Sequence, residues 1–382
     1  MEVIGEIIYS DANKEVQLTI RKKNGTMLDL VLSKELMKAT ENSVYSFIAE
    51  KNARVGYIRI PSFYSDFEGN SSQGCAEDVA KEIAKLRKDN IEGIIIDLQD
   101  NGGGSMDEAI RLAGMFVDNG PISVSVNRKG TQNVMRDYIR GTVYNGPVVV
   151  MINGQSASAS EFFAGAMQDY NRALIVGAKS LGKASIQVIQ PLDIRQEEFV
   201  KVTTQKFYRV TGEGSQIKGI VPDIYFPTVY DSIMPREKSF KNALPYDFIT
   251  TDARFRKYDA DYSAVIARSI ERVKTSARFI DIQDIDKKVT EVYDNPAPFM
   301  SLNLDEVFQK IKEIDALWQR IKTQVAKPSG CKISNNSFDD KRIKRDKLLA
   351  EVNADKMAAV RSNPYIEEAV NIIRDCNALI GK

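Results

Sequence analysis

The sequence predicts an α/β fold around a mainly parallel sheet, because continuously apolar runs alternate with segments of helical periodicity. Such runs are typical of strands that are buried on both faces. The runs that predict strands are residues 55–61, 93–98, 148–152 and 173–176. Helical spacing separates them at residues 75–86, 106–117 and 161–167. After about residue 230 the apolar spacing indicates helices, marked by residues 265–273, 304–321 and 366–373.

The start of the chain predicts a β-hairpin. Residues 16–20 alternate between apolar and polar, Asn24-Gly25 is a hairpin-type turn, and residues 28–32 supply the second strand. Two strands are too short for an independent domain. We therefore interpret this region as the end of a small β-rich module.

Composition limits the function classes. The chain has 382 residues, and 53 basic against 52 acidic side chains give a net charge of +1, so we expect no nucleic-acid partner. No apolar run approaches the length of a transmembrane helix. With no histidine and three scattered cysteines there is no credible zinc site, and we expect no cofactor. Cys75 and Cys376 fall on apolar helix stripes, which predicts buried free thiols.

Ser158 is the candidate nucleophile. It stands between a predicted strand and a helix that begins near Ala159, and Glu161 follows at the third helical position. The structural interpretation is a capping box, worth about 1 kcal/mol of helix stability. The catalytic interpretation uses the same geometry, because open α/β sheets place their sites at the carboxyl ends of the strands. Both interpretations stay open from these residues alone.

Lys183 is the candidate base. Because the chain has no histidine, a serine hydroxyl cannot be activated by imidazole here, and lysine is the known substitute. A lone lysine is more often a solvated surface charge. Small neighbours such as Gly182 and Ala184 would however let this one pack closely, and burial lowers the pKa of an amine. Gln187 could orient the amine through its amide oxygen. Because this acceptor is neutral, it would not raise the pKa of the amine as a carboxylate would.

The glycine run at residues 102–104 follows a predicted strand. It is either a flexible turn or a loop whose bare amides approach a substrate oxygen. One of these amides and that of Ala159 would form a two-donor oxyanion hole.

A nucleotide-binding loop is the competing motif. Residues 177–184 nearly match GxxxxGK[ST], but Ala184 lacks the hydroxyl that binds Mg²⁺. The motif also requires a helix afterwards, whereas residues 185–191 predict a strand. We therefore reject nucleotide binding.

These motifs together resemble those of the carboxyl-terminal processing proteases, or tail-specific proteases, of peptidase family S41. The serine signature corresponds to residues 154–170, the lysine motif to residues 181–187 and the glycine loop to residues 97–104, although the family more often has Arg at position 99. Residues 206–209, 218–224, 242–245 and 363–366 resemble later landmarks, the last two in the helical extension of the bacterial periplasmic enzymes.

The resemblance implies a crotonase/ClpP-like protease core and a Ser-Lys dyad. It places the nucleophile on Ser158, the base on Lys183 and the orienting amide on Gln187. The oxyanion donors fall on the amides of Ala159 and Gly104, with Gly103 as the alternative to Gly104. Supporting roles are expected for two carboxylates, Asp169 and Glu161.

The resemblance also predicts the organisation of the chain. Residues 1–38 would be the C-terminal part of a PDZ-like module, 39–230 the protease core and 231–382 the helical extension. The rest of the PDZ domain is absent, as expected of either a fragment or a natural shortened form. Expected partners are unfolded or tail-exposed proteins and an adaptor or lipoprotein, in the periplasm or cell envelope of a bacterium. The alternative is a non-catalytic peptide-binding scaffold on the same fold.

Overall fold

The computed structural model describes residues 14–22, 24–33, 43–65, 74–193, 198–293 and 302–381. It divides into two compact units, residues 1–42 and 43–382. In the first unit, β1 (Glu15–Arg21) pairs antiparallel with β2 (Met27–Ser33). The predicted hairpin is confirmed, while its assignment to a PDZ-like module stays a prediction.

The second unit contains a seven-stranded and a four-stranded sheet. The strands, numbered in chain order, are β3 (Tyr45–Glu50), β4 (Arg54–Arg59), β5 (Gly93–Asp97), β6 (Gly120–Asn127), β7 (Gln132–Asp137), β8 (Val148–Ile152), β9 (Leu174–Gly177), β10 (Ser185–Pro191), β11 (Phe199–Arg209), β12 (Ile224–Tyr225) and β13 (Lys332–Ser334). The helices are α1 (Cys75–Arg87), α2 (Met106–Gly114), α3 (Ala159–Asp169), α4 (Ser263–Thr275), α5 (Ala277–Tyr293), α6 (Leu304–Ala326), α7 (Ser337–Ile343), α8 (Lys347–Ser362) and α9 (Ile366–Ile380). The α/β fold class and the helical C-terminal region are therefore as the sequence predicts.

The larger sheet has the strand order β12-β9-β8-β5-β4-β3-β13. Its strands pair in parallel from β12 to β4, and only β3 pairs antiparallel with its two neighbours, β4 and β13. This confirms the mainly parallel sheet. The smaller sheet, β10-β11-β6-β7, is entirely antiparallel and was not foreseen, although residues 185–191 were expected as a strand.

Each face of the larger sheet packs against a different set of helices. On one face, Ile94 and Ile96 of β5 join a cluster with apolar residues of α1, α2 and α3. On the other, Ile95 joins a cluster with Phe279, Ile373 and other residues of the C-terminal helices. Burial on both faces explains why β5 is continuously apolar rather than alternating. The C-terminal helices thus form the second of the two helical layers that cover the sheet.

The short strand β13 lies at the edge of the larger sheet, where it pairs with β3. Cys75 and Cys376 are buried free thiols, as predicted, and so is Cys331. Within the described residues, no helix combines the length and apolarity that a membrane crossing requires.

Candidate active site

Two loops meet at the carboxyl edge of the larger sheet, one after β5 and the other after β8. The backbone amide of Asp100 donates to the Asn153 side chain at 3.0 Å, and the Asn153 amide donates back to the Asp100 carboxylate at 2.8 Å. Ala157 N donates to the Asn101 carbonyl at 3.0 Å. These bonds join the glycine loop to the loop that carries Ser158.

Ser158 occupies the turn between the second loop and α3. Its φ is 56° and its ψ is −113°, in a region that residues with a side chain rarely adopt. Such a conformation costs on the order of 1–3 kcal/mol and persists only when the surroundings fix it. The sequence predicted the cap position of Ser158 but gave no sign of this strain. The backbone amide of Ser158 donates to the Glu161 carboxylate at 2.9 Å.

Glu161 connects the Ser158 loop to the Lys183 loop. One of its carboxylate oxygens accepts from both Ser158 N and Lys183 N, the latter at 2.8 Å. The other oxygen accepts from Gly182 N at 2.7 Å and from the Ser180 hydroxyl at 2.5 Å. Because two backbone amides share one oxygen, the backbones of Ser158 and Lys183 are neighbours in space.

The Glu161 side chain is completely enclosed, and its ionisation reflects two opposed effects. Burial raises the pKa of Glu161 to about 7 by penalising the charged form. The donors from Ser180, Ser158, Gly182 and Lys183 act in the opposite direction, because they stabilise the carboxylate. Burial is the larger effect, so this carboxyl titrates near neutral pH.

Lys183 is half-buried beside β10. Its amine donates to the Gln187 side-chain oxygen at 3.2 Å, and Gln187 is its only hydrogen-bond partner among the described residues. Burial lowers the pKa of Lys183, and the positive charge of Lys201 lowers it further. The carboxylates of Glu237 and Glu161 oppose this shift without reversing it. The amine is therefore biased toward its neutral form.

The glycine loop lies beside Ser158, and only one of its three glycine amides has a hydrogen-bond acceptor among the described residues. Gly103 N is already committed to the Asn101 side chain at 2.9 Å. Among the described residues, neither Gly104 N nor Ala159 N has an acceptor. A Cβ added to Gly103 would lie 2.9 Å from that of Ser158, so the two loops touch. Gly104 and Ala159, the donor pair predicted from the sequence, therefore each have an uncommitted amide, and their role as oxyanion donors stays a prediction.

Asp169 ends α3 and does not contact Lys183. It forms a two-pronged ion pair with Arg209, with contacts of 2.6 and 3.1 Å. Burial raises the pKa of Asp169, although the guanidinium opposes this shift. An indirect supporting role is compatible with this position, because α3 also carries Ser158 at its other end.

Two models of known protein families match this chain. A family model described as peptidase family S41 matches residues 54–226, which include both loops. A second model, the C-terminal domain of tail specific protease, matches residues 230–377. The chain thus contains a peptidase family S41 domain followed by a tail-specific protease C-terminal domain.

Two curated relatives of this chain are longer than it. The "Tail-specific protease" of Haemophilus influenzae is 32% identical over 316 residues, which cover 79% of this chain and 44% of the relative. A "Probable CtpA-like serine protease" of Staphylococcus aureus is 30% identical over 252 residues, covering 63% of this chain and 49% of the relative. The chain thus spans less than half the length of either relative.

The comparison with solved structures gives a match of low similarity. The "Photosystem II D1 C-terminal processing protease" is 24% identical, with a TM-score of 0.42, and the match covers 56% of each chain.

Two amide side chains beside the site, those of Asn101 and Gln216, were not predicted from the sequence. Asn101 accepts from Gly103 N and donates to the Ile60 carbonyl at 2.8 Å, which shapes the glycine loop. Gln216, which is 1% exposed, accepts from Ala184 N at 2.7 Å, directly after Lys183. Asn101 could have been noticed, because it precedes the glycine run. Gln216 lies in a loop far along the chain, and no local pattern distinguishes it.

Proposed function

We propose that this chain is the catalytic part of a serine endopeptidase that uses a Ser158–Lys183 dyad, with Gln187 orienting the lysine. The single observation that carries the proposal is the shared Glu161 oxygen, which holds the backbone amides of both residues. A second support is the lowered pKa of Lys183, since a general base must be neutral to accept a proton.

The proposed reaction proceeds through an acyl-enzyme. The Ser158 hydroxyl attacks the peptide carbonyl while the Lys183 amine takes its proton and then delivers it to the leaving amine. The developing oxyanion is held by Gly104 N and Ala159 N, neither of which has another acceptor among the described residues. Water then enters, Lys183 removes its proton, and hydrolysis of the ester releases Ser158.

In the resting arrangement the Lys183 amine hydrogen-bonds Gln187 rather than the Ser158 hydroxyl. The proposed catalysis therefore requires the flexible Lys183 side chain to move toward Ser158, and catalytic hydrogen bonds often tighten only when substrate binds. A neutral amide partner suits this role, because it orients the amine without favouring the ammonium form as a carboxylate would.

We further propose that the substrates are unfolded or tail-exposed proteins cleaved at or near their C-termini, in the bacterial periplasm or cell envelope. The support is the name of the Haemophilus relative and the match to a tail-specific protease domain. We also propose the organisation predicted from the sequence, with a PDZ-like remnant at 1–38, a protease core at 39–230 and a helical extension at 231–382. An adaptor or lipoprotein partner belongs to the same proposal.

The test is cleavage of an unfolded polypeptide in the presence of EDTA by wild type, Ser158→Ala and Lys183→Ala, with the products identified by mass spectrometry. We expect peptide products from wild type alone. Peptide binding without cleavage by all three proteins would instead support the scaffold alternative. Equal cleavage by all three would show that another group does the chemistry.

A further inference from the structure

A segment beyond the S41-matching region lies across both loops of the candidate site. We call residues 231–238 the strap. Its Arg236 is 14% exposed, forms an ion pair with Asp231 and donates to the Lys179 carbonyl at 2.9 Å. Lys179 belongs to the loop that leads to Lys183. The ion pair with Asp231 lies within the strap, whereas the hydrogen bond to the Lys179 carbonyl joins the strap to the backbone of that loop.

The same guanidinium lies directly on the loop that leads to Ser158. At Gly154, an added Cβ would overlap Arg236, and the three nearest atoms to that Cβ all belong to this one side chain. Gly154 is not in the left-handed region of φ, so its backbone conformation does not require glycine. The space occupied by Arg236 does, because it leaves no room for a side chain. The glycine allows the planar cation to lie against the main chain four residues before Ser158.

The backbone of the strap continues this connection. Glu237 N donates to the Leu181 carbonyl at 3.1 Å, and Leu181 N donates in turn to the Ser156 carbonyl at 3.0 Å. The Glu237 carboxylate accepts from the Gln216 side chain at 3.0 Å, and the other end of that side chain binds Ala184 N. Residues on both sides of Lys183 and shortly before Ser158 are thus tied to one short segment.

We propose that Arg236 is a positioning residue for the Ser158–Lys183 pair. It acts through Gly154 and the Lys179 carbonyl by setting the separation of the two loops, so the segment that begins the C-terminal region completes the active site. This inference rests on the proposed protease function. It assigns to Arg236 a role that requires a charged, planar side chain, because the group must pair with Asp231, donate to a carbonyl and lie flat on a backbone at once.

The first test compares Arg236→Ala with wild type on a short chromogenic peptide ester. We expect kcat to fall roughly 10- to 100-fold with KM nearly unchanged, because small misplacements of reacting groups cost rate rather than binding. Arg236→Lys should recover only part of kcat. The matched control is Arg278→Ala, which removes an arginine that binds the Lys327 and Ser362 carbonyls within the helical region. This control should lower the melting temperature yet keep kcat.

The second test is a double-mutant cycle with Gly154→Ala. Alone, this change should lower kcat as Arg236→Ala does, because the new methyl group displaces the guanidinium. In the Arg236→Ala background, the methyl group has room, and the further change in kcat should be less than about twofold.

The inference is overturned if Arg236→Ala retains the kcat of wild type. It is also overturned if Gly154→Ala lowers kcat by the same factor in the Arg236→Ala background as in wild type. If wild type itself neither cleaves peptides nor is labelled at Ser158 by a serine-directed phosphonate, the proposed function fails. If wild type is active and only the variants give one of the two contradicting results, the role of Arg236 fails and the proposed function stands.

Discussion

The loop that carries Ser158 and the loop that carries Lys183 are built in different ways. Ser158 is held by backbone: a strained turn, the start of α3 and hydrogen bonds to the neighbouring glycine loop. The backbone of Lys183 is equally fixed, by Glu161, but its amine has a single hydrogen bond to Gln187 among the described residues. In the proposed mechanism, one loop supplies fixed geometry and the other supplies an amine whose pKa is lowered by burial.

The largest expected effect tests the tuned amine. Lys183→Arg keeps a positive, hydrogen-bonding side chain, but a guanidinium does not lose its proton at accessible pH. We therefore expect kcat to fall at least about 10³-fold, nearly as far as in Lys183→Ala. Steady-state cleavage of a peptide ester measures this. Substantial activity in Lys183→Arg would show that a charge, and not a base, is needed at this position.

The next effect tests the fixed geometry of the Ser158 loop. Gly103 has a φ of 103°, and a Cβ there would press on Ser158, whereas a Cβ on Gly102 would have no neighbour within 4 Å. Gly103→Ala should therefore lower kcat about 10²-fold, comparable to loss of an oxyanion donor, and Gly102→Ala should be nearly neutral. Both variants remove a glycine from the same loop, but only the Gly103 variant adds a Cβ that would press on Ser158. Equal effects would contradict the proposed contact.

Glu161→Gln tests the connection between the two loops. The amide has one accepting oxygen in place of two, so we expect kcat to fall roughly 10- to 100-fold with little change in KM. Glu108→Gln, at another buried carboxylate, which binds Ala76 N, is the control for kcat. If Glu161→Gln keeps the kcat of wild type, this carboxylate does not position the dyad.

The same variant has a stability signature with a definite sign. Because the folded-state pKa of Glu161 is raised to about 7, the folded protein holds this proton more tightly than the unfolded chain. Its contribution to the free energy of unfolding is thus present below about pH 4.5 and is lost as the pH rises through 7. Denaturant unfolding at pH 5 and pH 8 should show this loss in wild type and not in Glu161→Gln. Identical pH dependence in both proteins would contradict the assignment.

The smallest expected effect concerns Gln187. In Gln187→Glu, a carboxylate beside the amine favours the ammonium form, so the pKa of Lys183 should rise. The limb of kcat/KM that increases with pH should then move to higher pH, with the plateau reduced only a few-fold. Gln190→Glu adds the same charge farther along the exposed end of β10 and should leave the limb in place. Equal shifts in both variants would indicate a general charge effect.

The sequence predicted the parts of the molecule whose cause is local. The apolar runs predicted four strands of the larger sheet, β4, β5, β8 and β9, and the absence of histidine made Lys183 the expected base for Ser158. The strained φ of Ser158, the burial of Glu161 and the contact of Arg236 with Gly154 depend on segments that are distant in sequence. No periodicity records such contacts. The antiparallel sheet was missed for a related reason, because β10 and β11 expose several apolar side chains and lack a clean alternation.

The most direct measurement is the rate at which a serine-directed phosphonate labels Ser158 as a function of pH, followed by intact-protein mass spectrometry. The account predicts one adduct on Ser158. Its rate should rise with pH through a pKa below that of a free lysine, and Lys183→Ala should abolish this rise. Labelling of Ser158 at the same rate and with the same pH dependence in Lys183→Ala would contradict the claim that this lysine activates the hydroxyl.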